Sequence, residues 1–189
     1  MPAPVGAEMT VTVSPETFTM VLFEHDEIVA AVERVADQIG LTADITVEVN
    51  EAIPLARTHI ESLDPIRLSI DGGAFEDPRH PRQLSEHAVI DTVGRLLLQA
   101  QDRLDPAFGD PPDDADMALP HRVAWDVYAV GRLQQLGYES QRQRRLYGFR
   151  NRHGFTDAAD AAFEQLWTGS GLTWADLTRL SDDAAAVRA

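Results

Sequence analysis

The chain has 189 residues, enough to bury a sizeable core as one domain or as a domain with an added lobe. It has no cysteine, and all 16 Lys/Arg positions are arginine, which excludes disulfides, thiolate catalysis, Cys-ligated zinc, Schiff-base lysine chemistry and a P-loop lysine. The formal net charge of −15 repels phosphates at long range and argues against general nucleic-acid binding.

The start, MPAPVGAE, has neither a basic n-region nor an apolar h-region, and no apolar run approaches the length of a membrane span. The expectation is therefore a cytoplasmic protein with no membrane partner. Residues 1–8, small and Pro-containing, are expected to be disordered.

Residues 9–13 (MTVTV) and 17–23 (TFTMVLF) read as strands, separated by the turn signal Ser14-Pro15-Glu16. A helix follows over 25–39. Ile28, Val32, Val35 and Ile39 recur at helical spacing, Asp26 is the candidate N-cap, and Gly40 stands just past the end. Glu24, His25, Asp26 and Glu27 cluster at this strand–helix junction and read as capping with acids near the positive helix end. Residues 44–49 (DITVEV) alternate as a strand, 51–63 contain Pro54 and read as a short helix or a loop, and 66–70 (IRLSI) alternate with period two. Asp71-Gly72-Gly73 turns the chain, and 74–83 is a Pro-rich connector.

The longest helix covers 84–104. Val89, Val93, Leu96, Leu97, Ala100 and Leu104 form one apolar stripe, Pro81 precedes it, and Pro106 bars continuation. The opposite face holds Leu84, His87, Asp91, Gly94 and Leu98, which suits a helix covered on both sides. An acidic loop at 105–120 with four prolines then divides the mixed first half from a helical second half. Helices are expected over 121–136, 140–152, 156–167 and 173–180, the last running into the 182–188 tail. Trp125, Trp167 and Trp174 read as core or inter-helix anchors.

The order β-β-α-β-β-α followed by helices predicts an α+β fold. A small, mainly antiparallel sheet would pack on helices 25–39 and 84–104 within an α+β domain at 9–104. A helical lobe at 121–189 would cover the other face of the second helix.

His87-Ala88-Val89-Ile90-Asp91-Thr92-Val93-Gly94 has the spacing H-x-x-x-D-x-x-G. It resembles the zinc helix of zincin metallopeptidases, H-E-x-x-H often followed by Gly, in which one helix turn puts two ligands on one metal. Strand 66–70 precedes the helix where that family has its substrate-binding edge strand. The run Arg122-Val123-Ala124-Trp125-Asp126, closing at Leu136-Gly137-Tyr138, is similar to the family segment E-x-x-A-D with its following helix and Gly-Tyr. There the Glu is the third ligand and the Asp supports the site. This chain departs from the pattern at each chemical position: Ala88 replaces the general base, Asp91 the second His, and Arg122 the third ligand. The resemblance implies a zincin-like scaffold with the peptidase site lost and no cofactor. The alternative it leaves is zinc held in another geometry by His87, Asp91, His121 and Asp126, in a divergent metal-dependent hydrolase. Without a metal, His87 and Asp91 are a hydrogen-bonded pair one turn apart.

Arg142, Arg144, Arg145, Arg150 and Arg152 crowd one helix, with His153 at its end and Tyr147 and Phe149 interleaved. Stacking on bases would make this a nucleic-acid surface. The net charge favours a partner protein, self-association, or pairing with the chain's own acids, such as Asp110, Asp113, Asp114 and Asp116. The chain contains neither a G-x-S-x-G elbow nor a G-x-G-x-x-G fingerprint. The function expected is protein interaction on a non-catalytic scaffold, with the Arg-rich helix and the acidic loop as contact surfaces.

Overall fold

A computed structural model of the chain describes residues 9–186 and combines helices with two small sheets, an α+β composition. The expected disorder at 1–8 and the end of the expected tail lie outside the described residues. The chain forms two compact units, one up to Thr92 and one from Val93 onward. The acidic loop at 105–120 lies within the second.

In the first unit, β1 (Val11–Ser14) is followed by α1 (His25–Ile39), β2 (Ile45–Asn50), β3 (Thr58–Leu63) and β4 (Ile66–Asp71). The sheet order is β1-β2-β4-β3. β1 runs parallel to β2 and β2 parallel to β4; β3 pairs antiparallel with β4. The expected mainly antiparallel sheet is therefore corrected to a mainly parallel one. The cause is α1: a helix that returns the chain between two neighbouring strands makes them run the same way. β3 then supplies the return that lets β4 lie parallel to β2.

The alternation in β2 and β4 places Ile45 beside Ile66, Val47 beside Leu68 and Val49 beside Ile70, all buried, while Arg67 is exposed. α1 packs along β1 and buries Ile28, Ala31, Val32, Val35 and Ala36, a stripe at helical spacing. It ends at Gly40, whose φ of 73° and ψ of 30° are the left-handed values that glycine adopts without Cβ strain. Glu24, not Asp26, occupies the N-cap position, and no side chain caps the helix there.

Three further expectations change in this unit. Residues 17–23 form no strand beyond a single bridge from Leu22 to Gln83. The Glu51 carboxylate accepts the backbone N–H of Thr19 and of Met20 at 2.8 and 2.6 Å, so those donors are taken by a side chain. Residues 51–57 are a loop, but 58–63, expected as part of a short helix or loop, form β3, so β4 is an interior strand and β3 is the edge. The Pro-rich connector contains a small hairpin, β5 (Glu76–Asp77) with β6 (His80–Leu84).

α2 (Glu86–Leu104) starts where Ser85 Oγ accepts the Ala88 N–H at 3.2 Å. It continues without a break through Thr92 and Val93. From Val93 to Asp102 every position except Arg95 and Gln101 is buried.

The second unit continues with α3 (Leu119–Gln135), α4 (Arg142–His153), α5 (Asp157–Thr168) and α6 (Trp174–Ala186). α3 packs against each of the other three. Gly131 of α3 and the Trp167 carbonyl of α5 approach so closely that a Cβ at Gly131 would overlap it. Thr156 Oγ1 accepts the Ala159 N–H at 3.1 Å and starts α5. Thr173 and Asp176 cap α6 reciprocally: Thr173 Oγ1 accepts the Asp176 N–H, and the Asp176 carboxylate accepts the Thr173 N–H. Trp125 stacks on Phe108 with ring centres 5.5 Å apart and tilts against Trp174 at the same distance.

Candidate functional site

His87 and Asp91 lie on the first two turns of α2, four residues apart on one face, and both are half-buried. His121 and Asp126 lie on α3 and are engaged by other groups. His121 Nε2 meets the Asp182 carboxylate of α6 at 2.7 Å, and the His121 ring stands edge-on to Trp174. Asp126 Oδ1 accepts from Arg95 Nη1 at 3.0 Å and from Gln99 Nε2 at 2.9 Å, so a guanidinium sits where a metal ligand would need its cation. Among the described residues, no three His, Asp or Glu side chains come together as a metal-holding group.

The contacts of Asp126 belong to a longer polar seam between α2 and α3. Asp102 is buried, 6% exposed, and its carboxylate takes three donors: Trp125 Nε1 at 2.7 Å, Arg132 Nη1 at 2.8 Å and Arg132 Nη2 at 2.6 Å. The two arginine bonds form a parallel fork, the geometry in which guanidinium and carboxylate match best. The Arg132 guanidinium also lies over the Tyr128 ring, 4.1 Å from its centre. Gly94 lies opposite Leu133, where a Cβ would come within 2.6 Å of Leu133 Cδ2. The next residue of α2, Arg103, donates to the Pro111 and Pro112 carbonyls and to the Asp114 carboxylate, fastening the acidic loop. The sequence carries no local signal for Asp102, because its partners lie 23 and 30 residues away.

α4 presents the Arg-rich surface. Arg142 pairs with Glu164 and Arg150 with Asp160, both acids on α5. The Arg150–Asp160 pair is a two-bond fork that holds the Asp160 carboxyl below its ordinary pKa range. The internal partners of these two arginines are thus α5 acids, one and two turns into the next helix, and not the acidic loop. Phe149 is fully buried against His153 and Phe163, which removes it from any base-stacking surface. Tyr147 and Phe155 are the opposite case: 61% and 63% exposed, they pack edge to face with ring centres 5.9 Å apart. Arg144, three residues before Tyr147 on α4, is exposed and donates to Gln141 at 3.3 Å.

His153, at the end of α4, is fully buried. Its Nδ1 lies 3.0 Å from the Phe149 carbonyl, so that nitrogen carries the proton; Nε2 then accepts from Ser181 Oγ of α6 at 2.8 Å. Burial away from water pushes its pKa below the ordinary histidine value. This is a base facing a hydroxyl, the arrangement of a nucleophile pair, but Ser181 is as buried as the histidine, and both are closed off from solvent. Its evident work is to tie α6 to α4.

His25 shows the reverse shift. Its Nδ1 lies 3.0 Å from Asp26 Oδ1 and its Nε2 3.1 Å from the Val13 carbonyl, so both nitrogens face acceptors and the cation is favoured. The Asp26 hydrogen bond is the largest cause of its raised pKa.

No protein-family model matches the chain, and neither does any curated protein or solved structure. No helix among the described residues is long and apolar enough to cross a membrane.

Proposed function

We propose that this chain is a non-catalytic, zincin-like scaffold whose α4 surface mediates protein interaction. The observation that carries the interaction reading is the exposed Tyr147–Phe155 ring pair, one helical turn from Arg144. Two large aromatic groups left in water, with a guanidinium one turn away, are the composition of an interface core with a charged rim.

The zincin-like reading is supported by chain order: α2 carrying His87, Asp91 and Gly94, then α3 carrying Asp126; strand 66–70, expected at the sheet edge, is the interior β4 and lends it no support. Asp126 reaches back to α2 through Arg95 and Gln99, which suits the supporting role that the family gives the matching Asp. Against the hydrolase alternative stand Ala88 at the position of the base and the guanidinium on Asp126. Against nucleic acid stand the net charge and the buried Phe149.

The test is a fluorescence-anisotropy titration with a labelled, Asp/Glu-rich peptide carrying one central leucine. The wild-type chain is expected to bind it, and the Tyr147→Ser, Phe155→Ser double variant, which loses both rings, to bind at least about tenfold more weakly. Equal binding by the two proteins, or none by either, overturns the α4 reading.

A further inference from the structure

We infer that the surface met by α4 is the acidic loop at 105–120 of a second copy of this chain. The inference rests on the reading of α4 as a contact surface and names what contacts it.

The two surfaces are complementary in charge and in apolar content. On the loop, Asp110, Asp113 and Asp116 are exposed and have no ion pair among the described residues, whereas Asp114 is held by Arg103. Exposed Leu104 and Leu119 stand at its two ends. On α4, the exposed Arg144 stands one turn before the exposed Tyr147, whose ring packs with that of Phe155 just past the helix end. Acids flanked by leucines on one copy therefore match, on the other, a guanidinium one helical turn from an exposed pair of aromatic rings.

The loop is also already ordered for docking. Phe108 and Met117 anchor it in the core of the second unit, and Arg103 clamps the Pro111 and Pro112 carbonyls. A segment fixed before contact loses little conformational freedom on binding. A copy at −15 repels another copy as a whole, so the attraction is local and the association weak. Each copy offers both surfaces. Two reciprocal contacts close a pair about a twofold axis, and a single head-to-tail contact propagates.

The experiment is sedimentation velocity on the full chain from about 10 µM to about 500 µM, the range in which contacts of this strength populate. The weight-average mass is expected to rise with concentration. Arg144→Glu, which breaks the α4 side, and the triple Asp110→Asn, Asp113→Asn, Asp116→Asn variant, which breaks the loop side, are each expected to stay monomeric. Mixed together, they keep one intact surface apiece, and association is expected to return at higher concentration than in the wild type. Circular dichroism checks that each variant is folded. A wild-type chain that stays monomeric throughout, variants that associate as the wild type does, or a mixture that does not associate overturns the inference. If it falls while the acidic peptide still binds wild type more tightly than the double serine variant, α4 remains a contact surface for another protein. If the peptide fails as well, both readings fall.

Discussion

At His153 the structure sets a pH dependence whose sign follows from burial. The folded chain holds the imidazole neutral, with a pKa below the ordinary value of about 6.5. The unfolded chain therefore binds the proton more tightly between the folded value and about 6.5, and stability falls as pH drops through that window. The charged neighbours partly oppose each other there: His121 lowers the pKa further and Asp182 raises it. His25 acts with the other sign. Its stabilisation is present below about 6.5 and is lost as pH rises through its raised folded pKa. Urea unfolding followed between pH 5 and pH 8 is expected to show an acid-side loss that His153→Gln flattens and a decline on the alkaline side that His25→Gln flattens. An unchanged acid limb in His153→Gln would remove the role given to its burial. Asp102 supplies the larger single effect. Replacing it by alanine leaves a half-buried Arg132 and the Trp125 N–H without their acceptor, and is expected to cost about 3–5 kcal/mol, read from the urea midpoint at constant slope. A loss under about 1 kcal/mol would show that water takes over the carboxylate's bonds.

At the scale of elements, two helical glycines are contacts and not conformational devices. Alanine normally strengthens a helix interior by about 1 kcal/mol over glycine. Here Gly94→Ala would press on the movable Leu133 side chain, while Gly131→Ala would press on the Trp167 backbone of α5. Gly131→Ala is therefore expected to be the more destabilising, by about 1–3 kcal/mol against wild type, with Gly94→Ala milder. Thermal melts of the two variants in the reverse order would contradict the close approach of α3 and α5. These elements differed in how far residues alone disclosed them. Ile28 to Gly40 spells out α1 through its stripe and its terminal glycine, and Thr156 and Thr173 announce the starts of α5 and α6, because caps act over three residues. β3 was hidden, since Pro54 suggested a break and only an edge position made Thr58–Leu63 a strand. The segment 17–23 was misread because the group that takes its N–H donors, Glu51, lies about thirty residues away and leaves no mark on the local pattern.

For the whole molecule, the α+β class follows from the order of strands and helices, while the sheet direction depends on which strands become neighbours. Once 11–14 and 45–50 are neighbours, the helix between them makes the pair parallel, but the strand-like pattern at 17–23 hides that pairing. The candidate site divides in the same way. The Arg-rich helix was visible as composition, but which arginines are neutralised depends on α5 being the helix beside it. The exposed pairing of Tyr147 with Phe155 and the seam at Asp102 exist only once the helices pack.

The continuity of α2 through Thr92 and Val93 bears on how this protein can be dissected. A cut at the junction of the two compact units would pass through the middle of a helix, leaving raw carbonyls on one fragment and raw amides on the other. Gene fragments designed at that boundary are poor vehicles for studying either half, and point substitutions in the intact chain are the sounder tool.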